Sequence, residues 1–511
     1  MHQKLLVPLL FIILLPSPFF CFPPSAFYID YEHNQFMKHQ QPYRFISGSI
    51  HYFRVPRLYW PDRLAKMRAA GLNAIQTYVP WNYHETSPGV YDFSGERNLT
   101  SFLQLVDSYN MSVLLRIGPY TCGEWENGGL PWWLIKDKQI RMRSSDPKFL
   151  SPVKRWLTEL LARVSPYLIK NDGPILMFQI ENEYGSFDEC DIQYTTWLRD
   201  TVRRMVGYDT LLVTVDGGAL HYLKCGFTPD VYPTVDFGPR SKQSVEYSFA
   251  AQRTYAPRGP LVNLEFYPGW LDKWGRNFRY LFLASFPDST HSGKHNDHQC
   301  GWMNASFNFY MFYGGTKSVT YEWTRDSVQS KMSSKIDLFQ SINHLLSSRS
   351  IPITTGPHPQ SVEQQNMPYG LVVFQTVIPP LPTCSYETLD GTGVKDRGYV
   401  FVKGQSAGVL VDKFSVYLQR RRINFKCSAC GGEQLTILVE NMGRSSSGHV
   451  DQKGVTSNLT LGNHIPTNWT SFQFDYRLLT NQSGPVGQPN VPTCLHWSIS
   501  NLSLAPNDNF S

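Results

Sequence analysis

Charge is scarce in this chain and forms no long tract: Asp, Glu, Lys and Arg make up 17% of its 511 residues, and the formal net charge is +6. So small a balance over this length argues against a nucleic acid as partner. The run Arg420, Arg421, Arg422 reads as a solvated strand end. Long apolar stretches are also rare. The one that stands out, residues 5–15, follows Lys4 and stops at Pro16, Ser17 and Pro18. That pattern predicts a signal peptide over 1–22, too short and too proline-bounded to span a membrane, and no later stretch is long and apolar enough for a span. No internal repeat is apparent.

What is present fits an exported, folded protein. The chain is longer than one compact domain usually is, so a large domain followed by smaller modules is expected. Aromatic residues reach 14%, which suits a folded protein with an aromatic-lined cleft, and aromatic faces suit the apolar faces of sugar rings. Export makes the nine cysteines candidates for disulfides rather than metal ligands. Sequons at Asn98, Asn110, Asn304, Asn458, Asn468, Asn481 and Asn501 agree with passage through the secretory route, to the lysosome or out of the cell.

Between residues 43 and 348, short β-rich runs alternate with amphipathic stretches, the pattern of parallel strands covered by helices. The strands expected are FISGSIHYF, AIQTYVPW, SVLLRIGPY, ILMFQIENE, LLVTVDGG, PTVDFG, LVNLEF and FNFYMFYGG. Eight such units predict a TIM (β/α)8 barrel, an α/β catalytic domain over 27–348. DRLAKMRAAG, LTSFLQLVDSY, SPVKRWLTELLARV, TTWLRDTVRRMV and SVEYSFAAQRTY carry apolar residues at helical spacing. After about residue 350, stretches such as YGLVVFQTV, GYVFVKG, SAGVLV and LTILVENMG predict a β-sandwich module over 357–475. An irregular tail over 476–511 is expected beyond it.

In such a barrel, reactive groups sit at the carboxyl ends of the strands. Those ends hold Tyr78, Trp81 and Glu85; Tyr120, Cys122, Glu124 and Trp125; Asn182 and Glu183; and Glu265, Tyr267 and Trp270. Carboxylates and aromatics dominate. Glycoside hydrolysis needs one carboxylic acid to protonate the departing oxygen and a second carboxylate to attack, or to activate water at, the anomeric carbon. Glu183 and Glu265 provide that pair. An isolated glutamate is ordinarily a surface or salt-bridged group, but these two end the apolar runs ILMFQI and PLVNL, where a charge needs a partner or a purpose. For Trp81, Trp125 and Trp270, core packing and sugar contact are equally good readings.

The stretches SGSIHYFRVP, GLNAIQTYVPWNYHE, GPYTCGEWENGGLPWWL, RSSDP, QIENEYGS, VDFG, NLEFYPGWLDKWG and VENMGR resemble the family 35 glycoside hydrolases, in particular the animal lysosomal β-galactosidase branch. The resemblance is strong over 27–275, moderate to about 475 and absent beyond. It implies Glu183 as proton donor and Glu265 as nucleophile of a retaining exo-β-galactosidase, with carboxyl carbons about 5 to 5.5 Å apart. It also implies a galactose subsite lined by Tyr78, Cys122, Gly123, Glu124 and Asn182, and a disulfide between Cys190 and Cys225. The partner it implies is a β-galactoside glycan on a glycoconjugate, and this chemistry requires no cofactor and no metal. The sequence leaves homo-oligomer formation open.

The chain departs from the family pattern in four places. Over 277–305 it has little helical periodicity, and His291, His295, His298 and Cys300 fit no standard zinc spacing, which favours a solvated loop. Cys427 and Cys430 form a lone C-x-x-C, for which a disulfide ranks above zinc. GGTKSVTYEWTRDS replaces the stretch in which the family has a sugar-binding tyrosine, leaving Tyr321 or Trp323 as a stand-in. The family's last β-domain is expected to be missing. The alternative to an active hydrolase is therefore a catalytically inactive carbohydrate-binding homologue or a defective isoform.

Overall fold

The computed structural model describes residues 25–269, 304–314, 354–367, 369–381, 386–412, 419–426, 431–446 and 449–474. The signal segment, the tail after 475, Trp270, Tyr321, Trp323, the 291–300 histidine segment, Cys427 and Cys430 lie outside the described residues.

The expected barrel is present. Its strands are β1 (Ile46–Ile50), β2 (Ala74–Tyr78), β3 (Ser112–Gly118), β4 (Ile175–Ile180), β5 (Leu211–Gly217), β6 (Tyr232–Asp236), β7 (Val262–Phe266) and β8 (Ser306–Tyr313). Each pairs in parallel with its sequence neighbours, and β8 closes on β1 with Phe307 opposite Ile46. Because helices cover the outer face and side chains fill the interior, a strand here is buried on both sides. Every residue of β3 and β4 is buried.

The helices are α1 (Trp60–Ala69), α2 (Leu99–Ser108), α3 (Pro147–Val164), α4 (Ile192–Val206), α5 (Leu220–Gly226) and α6 (Lys242–Tyr255), and all but α5 follow the predicted periodicity. In α3, Asp146 caps the first turn by accepting from Lys148 N, and Pro147 occupies the start, where no amide bond is lost. Phe149, Val153, Trp156, Leu157, Leu160, Leu161 and Val164 form its buried stripe. Removing the largest of them, by Trp156→Ala, would cost about 3–5 kcal/mol. The short α5 was not read from the sequence, since seven residues carry too little periodicity.

An antiparallel meander of Phe27–Asp30, Gln35–Lys38 and Gln41–Tyr43 precedes the barrel. Its Phe27 and Phe36 share a cluster with Phe45, Ala74, Leu114, Met177, Val213 and Val262, which come from the amino-terminal sides of the strands. The meander thus plugs the bottom of the barrel and leaves the carboxyl end as its mouth. Above the plug the interior turns polar. Ser49 donates to Gln76 Oε1 at 2.7 Å, and Asn308 Nδ2 lies 2.8 Å from Ser49 Oγ and 3.0 Å from the Leu264 carbonyl. This hydrogen-bonded layer is the floor on which the site stands.

The second module is a sandwich of antiparallel sheets. A six-stranded sheet runs Thr354–Gly356, Trp469–Phe474, Leu371–Val377, Gln434–Glu440, Arg397–Val402, Gln405–Val411, and a three-stranded sheet runs Arg422–Lys426, Tyr386–Asp390, Thr460–Leu461. Phe374, Val400, Leu410 and Ile437 from the first meet Leu389, Ile423 and Leu461 from the second. Thr354–Gly356 pairs with Trp469–Phe474, so the sheet begins ahead of residue 357. The arginine run lies at the start of the strand Arg422–Lys426 with Arg420 and Arg422 exposed, as its reading as a solvated strand end expects, and Arg421 pairs with Asp412 and Arg422 with Asp390.

Candidate active site

β3 carries a charge where its apolar pattern leaves no obvious room for one. Arg116 is 1% exposed and points into the barrel, where its guanidinium forms an ion pair with Glu265 of β7. It also hydrogen-bonds Asn182 Oδ1, and it donates to Gln76 Oε1 at 3.1 Å. Its charge lies 3.8 Å from the centre of the Tyr78 ring. The Tyr78 hydroxyl lies 3.0 Å from Glu265 Oε1 and 3.2 Å from Asn182 Oδ1. Three strand ends thus converge on the Glu265 carboxylate.

β4 ends in Glu181, Asn182 and Glu183, and the fold treats its two glutamates differently. Glu181 is bound by Arg143, which also donates to the Asn182 carbonyl, and by the Tyr194 hydroxyl at 2.7 Å. That carboxylate is committed to structure. Glu183 turns the other way, in a left-handed conformation (φ 43°, ψ 45°), with its amide bonded to the Val215 carbonyl at 3.0 Å. Its carboxylate accepts from Asn182 Nδ2 at 3.1 Å. Burial, with the Glu265 charge adding to it, pushes the Glu183 carboxyl up to about 7. Raised in this way, the Glu183 carboxyl keeps its proton to a higher pH than an exposed glutamate does.

The turn after Glu183 is pinned from β5 and α5. Gly185 N donates to Asp216 Oδ1 at 2.7 Å, and a side chain at Gly185 would meet the Tyr222 carbonyl at 1.7 Å. A disulfide joins Cys190 to Cys225, with Cα atoms 5.0 Å apart. Asp216 and Asp236 are buried beside the pair, and burial first, then the Glu183 charge, holds both carboxyls well above the carboxylate range.

The loop after β3 supplies the remaining predicted residues. Cys122 is partly buried and free, and its thiol is pushed up mainly by burial, then by the charges of Glu183, Glu124 and Glu265. The loop lies over the same mouth as the Glu265 carboxylate, because Gly123 packs on the ring of Tyr78, whose hydroxyl reaches Glu265. Gly123 packs so closely that a Cβ would lie 3.3 Å from the Tyr78 ring, and its carbonyl accepts from Arg54. Glu124, 30% exposed, lies 4.0 Å from Arg54.

Some strand-end candidates do not belong to the site. Trp81 is fully buried and donates to Glu85, which is itself buried and paired with Arg155. Core packing is the correct reading for both. Trp125 is wedged against Phe53 and Tyr83, and donates to Asn82.

The sequence reading missed Arg116, Arg54, Asp236 and Tyr310. Tyr310 is a half-buried tyrosine of β8 whose hydroxyl is pushed up by desolvation and then by the Glu265 and Glu124 charges. A lone arginine within SVLLRIG was the available signal, because a buried cation demands a buried anion. Among the described residues, no group of three or more His, Cys, Asp or Glu is arranged to hold a metal ion.

The family model for glycosyl hydrolases family 35 matches residues 35–335. The chain belongs to that family. The model of the first all-beta domain of beta-galactosidase matches residues 359–475. The chain is 40% identical to beta-galactosidase of Felis catus, with 88% of this chain and 72% of that protein covered. For beta-galactosidase of Homo sapiens the identity is 38%, covering 92% and 75%. Beta-galactosidase-1-like protein of Mus musculus is 37% identical, covering 88% and 75%. This family 35 protein is a glycoside hydrolase. Among its described residues no helix is long and apolar enough to cross a membrane.

Proposed function

We propose that this chain is a retaining exo-β-galactosidase acting on terminal β-linked galactose of glycoconjugates, with Glu183 as acid/base and Glu265 as nucleophile. The observation that carries the reading is the unequal treatment of the two carboxyls. Glu265 faces a buried arginine, whereas Glu183 is pushed up to about 7. One is set up as an anion and the other as a proton donor.

In the first step a Glu265 oxygen bonds to the anomeric carbon while the glycosidic C–O bond breaks. Glu183 passes its proton to the departing oxygen. Forming the galactosyl ester removes the Glu265 charge, which makes Glu183 a better base at the moment its proton has gone. Glu183 then takes a proton from water, whose oxygen displaces Glu265 and restores both groups. Asn182 bridges the pair: its Oδ1 accepts from Arg116 and its Nδ2 donates to Glu183, so it is suited to follow charge at the sugar's 2-hydroxyl. Tyr78, Cys122, Gly123 and Glu124 line the galactose subsite in this reading. The beta-galactosidase names of the relatives support galactose as the sugar.

The exposed asparagines Asn110, Asn304, Asn458 and Asn468 are accessible for glycosylation, in keeping with a lysosomal or secreted location. The test is hydrolysis of chromogenic β-galactosides by the wild type and by Glu265→Gln and Glu183→Gln. Glu265→Gln should abolish turnover, and Glu183→Gln should be impaired least on the best leaving groups. Equal loss on all leaving groups for Glu183→Gln would overturn the assignment.

A further inference from the structure

We propose that Arg444, in the β-module, is a positioning residue for barrel loop 122–129, so that sugar binding in the barrel depends on contact with the second module. The functional part of this inference rests on the reading of loop residues 122–124 as the sugar subsite.

The Arg444 side chain is 0% exposed. Glu363 of its own module anchors it: Nε donates to Glu363 Oε1 at 3.0 Å and Nη2 forms an ion pair with the same carboxylate. Glu363 is held in turn by the Lys453 amide. Nη1 reaches across the junction to Glu126 Oε1 at 2.7 Å. The backbones meet there as well. Asn127 N donates to the Arg444 carbonyl at 3.3 Å, and the Tyr120 hydroxyl donates to the Ser446 carbonyl at 2.6 Å. A Cβ at Gly128 would lie 2.9 Å from that same carbonyl, so the two surfaces are in full contact.

From Glu126 the connection runs to the sugar side of the loop. Its Oε2 accepts from Asn82 Nδ2 at 3.1 Å, and Asn82 Oδ1 accepts from Trp125 at 2.8 Å. Arg54 lies over Trp125, bonds the Gly123 carbonyl and faces Glu124.

The loop needs such support. Cys122, Glu124 and Asn127 have φ of 51°, 48° and 53°, in the left-handed region that costs a side-chain-bearing residue energy and persists only where surroundings impose it. Glu183 and Glu265, by contrast, are held by Arg143, Asn182 and Arg116 from within the barrel. Loosening the loop should therefore weaken binding more than chemistry.

The test uses the full chain, with Glu126→Gln, which removes the charge from the crossing contact and turns one of the two acceptors shared by Arg444 and Asn82 into a donor while leaving the Arg444–Glu363 pair intact, beside Arg444→Lys. Amide hydrogen exchange over 121–130 should rise about tenfold in each, with 175–180 and 262–266 unchanged. KM for a chromogenic β-galactoside should rise about fivefold or more while kcat changes by less than about twofold. A folded Glu126→Gln protein with wild-type exchange and KM overturns the proposal, as does a fall in kcat at constant KM. Were the wild type to hydrolyse no β-galactoside, the galactosidase reading would fall, and the exchange measurement would still decide whether Arg444 positions the loop.

Discussion

Arg116 and Glu265 form an ion pair in the polar interior of the barrel, with side chains only 1% and 8% exposed. Neither residue is near the other in sequence. The pair exists because Arg116 of β3 and Glu265 of β7 both turn into the barrel interior, and it puts a buried cation against the candidate nucleophile.

Replacing Arg116 separates charge from geometry. Arg116→Lys keeps a cation but loses the fork that reaches Glu265, Gln76 and Asn182 together, so kcat/KM should fall by about 10- to 100-fold. Arg116→Met should be worse and also lose about 3–5 kcal/mol of stability, because the carboxylate is left buried without its partner. Steady-state kinetics and chemical denaturation of both variants check this. Wild-type kinetics in Arg116→Met would contradict it.

The raised carboxyl of Glu183 sets a pH dependence. Its proton is present below about 7 and lost above, so kcat/KM should decline on the alkaline side near pH 7. The sign for stability is the same. A carboxyl raised from 4.5 to about 7 contributes fully below the unfolded value and loses that contribution as pH rises through the folded one. Glu183→Gln, which cannot ionise, should therefore be more stable than wild type at pH 8 by about 1–3 kcal/mol, and close to it at pH 4.5. Thermal melts at both values decide this.

The Cys190–Cys225 bond closes a loop of sequence separation 35 across the turn that holds Glu183. Cys190→Ser with Cys225→Ser should cost roughly 2–4 kcal/mol. The same pair of substitutions should lower kcat, because the loop that starts at Glu183 loses one of its anchors. An unchanged melting temperature would show that the bond adds nothing to the fold.

Much of this was legible in the sequence. All eight barrel strands could be read because each is a short apolar run between amphipathic stretches, and Glu183 and Glu265 stood out because charges end apolar runs there. Glu85, also placed at a strand end, proved to be a buried partner of Arg155, since position at a strand end says nothing about which way a side chain turns. The meander of Phe27–Asp30 and its neighbours went unread because three- and four-residue strands carry almost no periodicity. Arg116 and Tyr310 were hidden for a different reason. Each lies within an apolar strand, and only barrel closure brings β3 and β8 to the same mouth.

The central claim, that Glu265 is a nucleophile rather than a base acting on water, is tested most directly by the anomer released first. Proton NMR of an aryl β-galactoside mixed with the purified wild type should show β-galactose appearing first and α-galactose only later, by mutarotation. Initial release of α-galactose, or no hydrolysis by a correctly folded protein, would contradict the account.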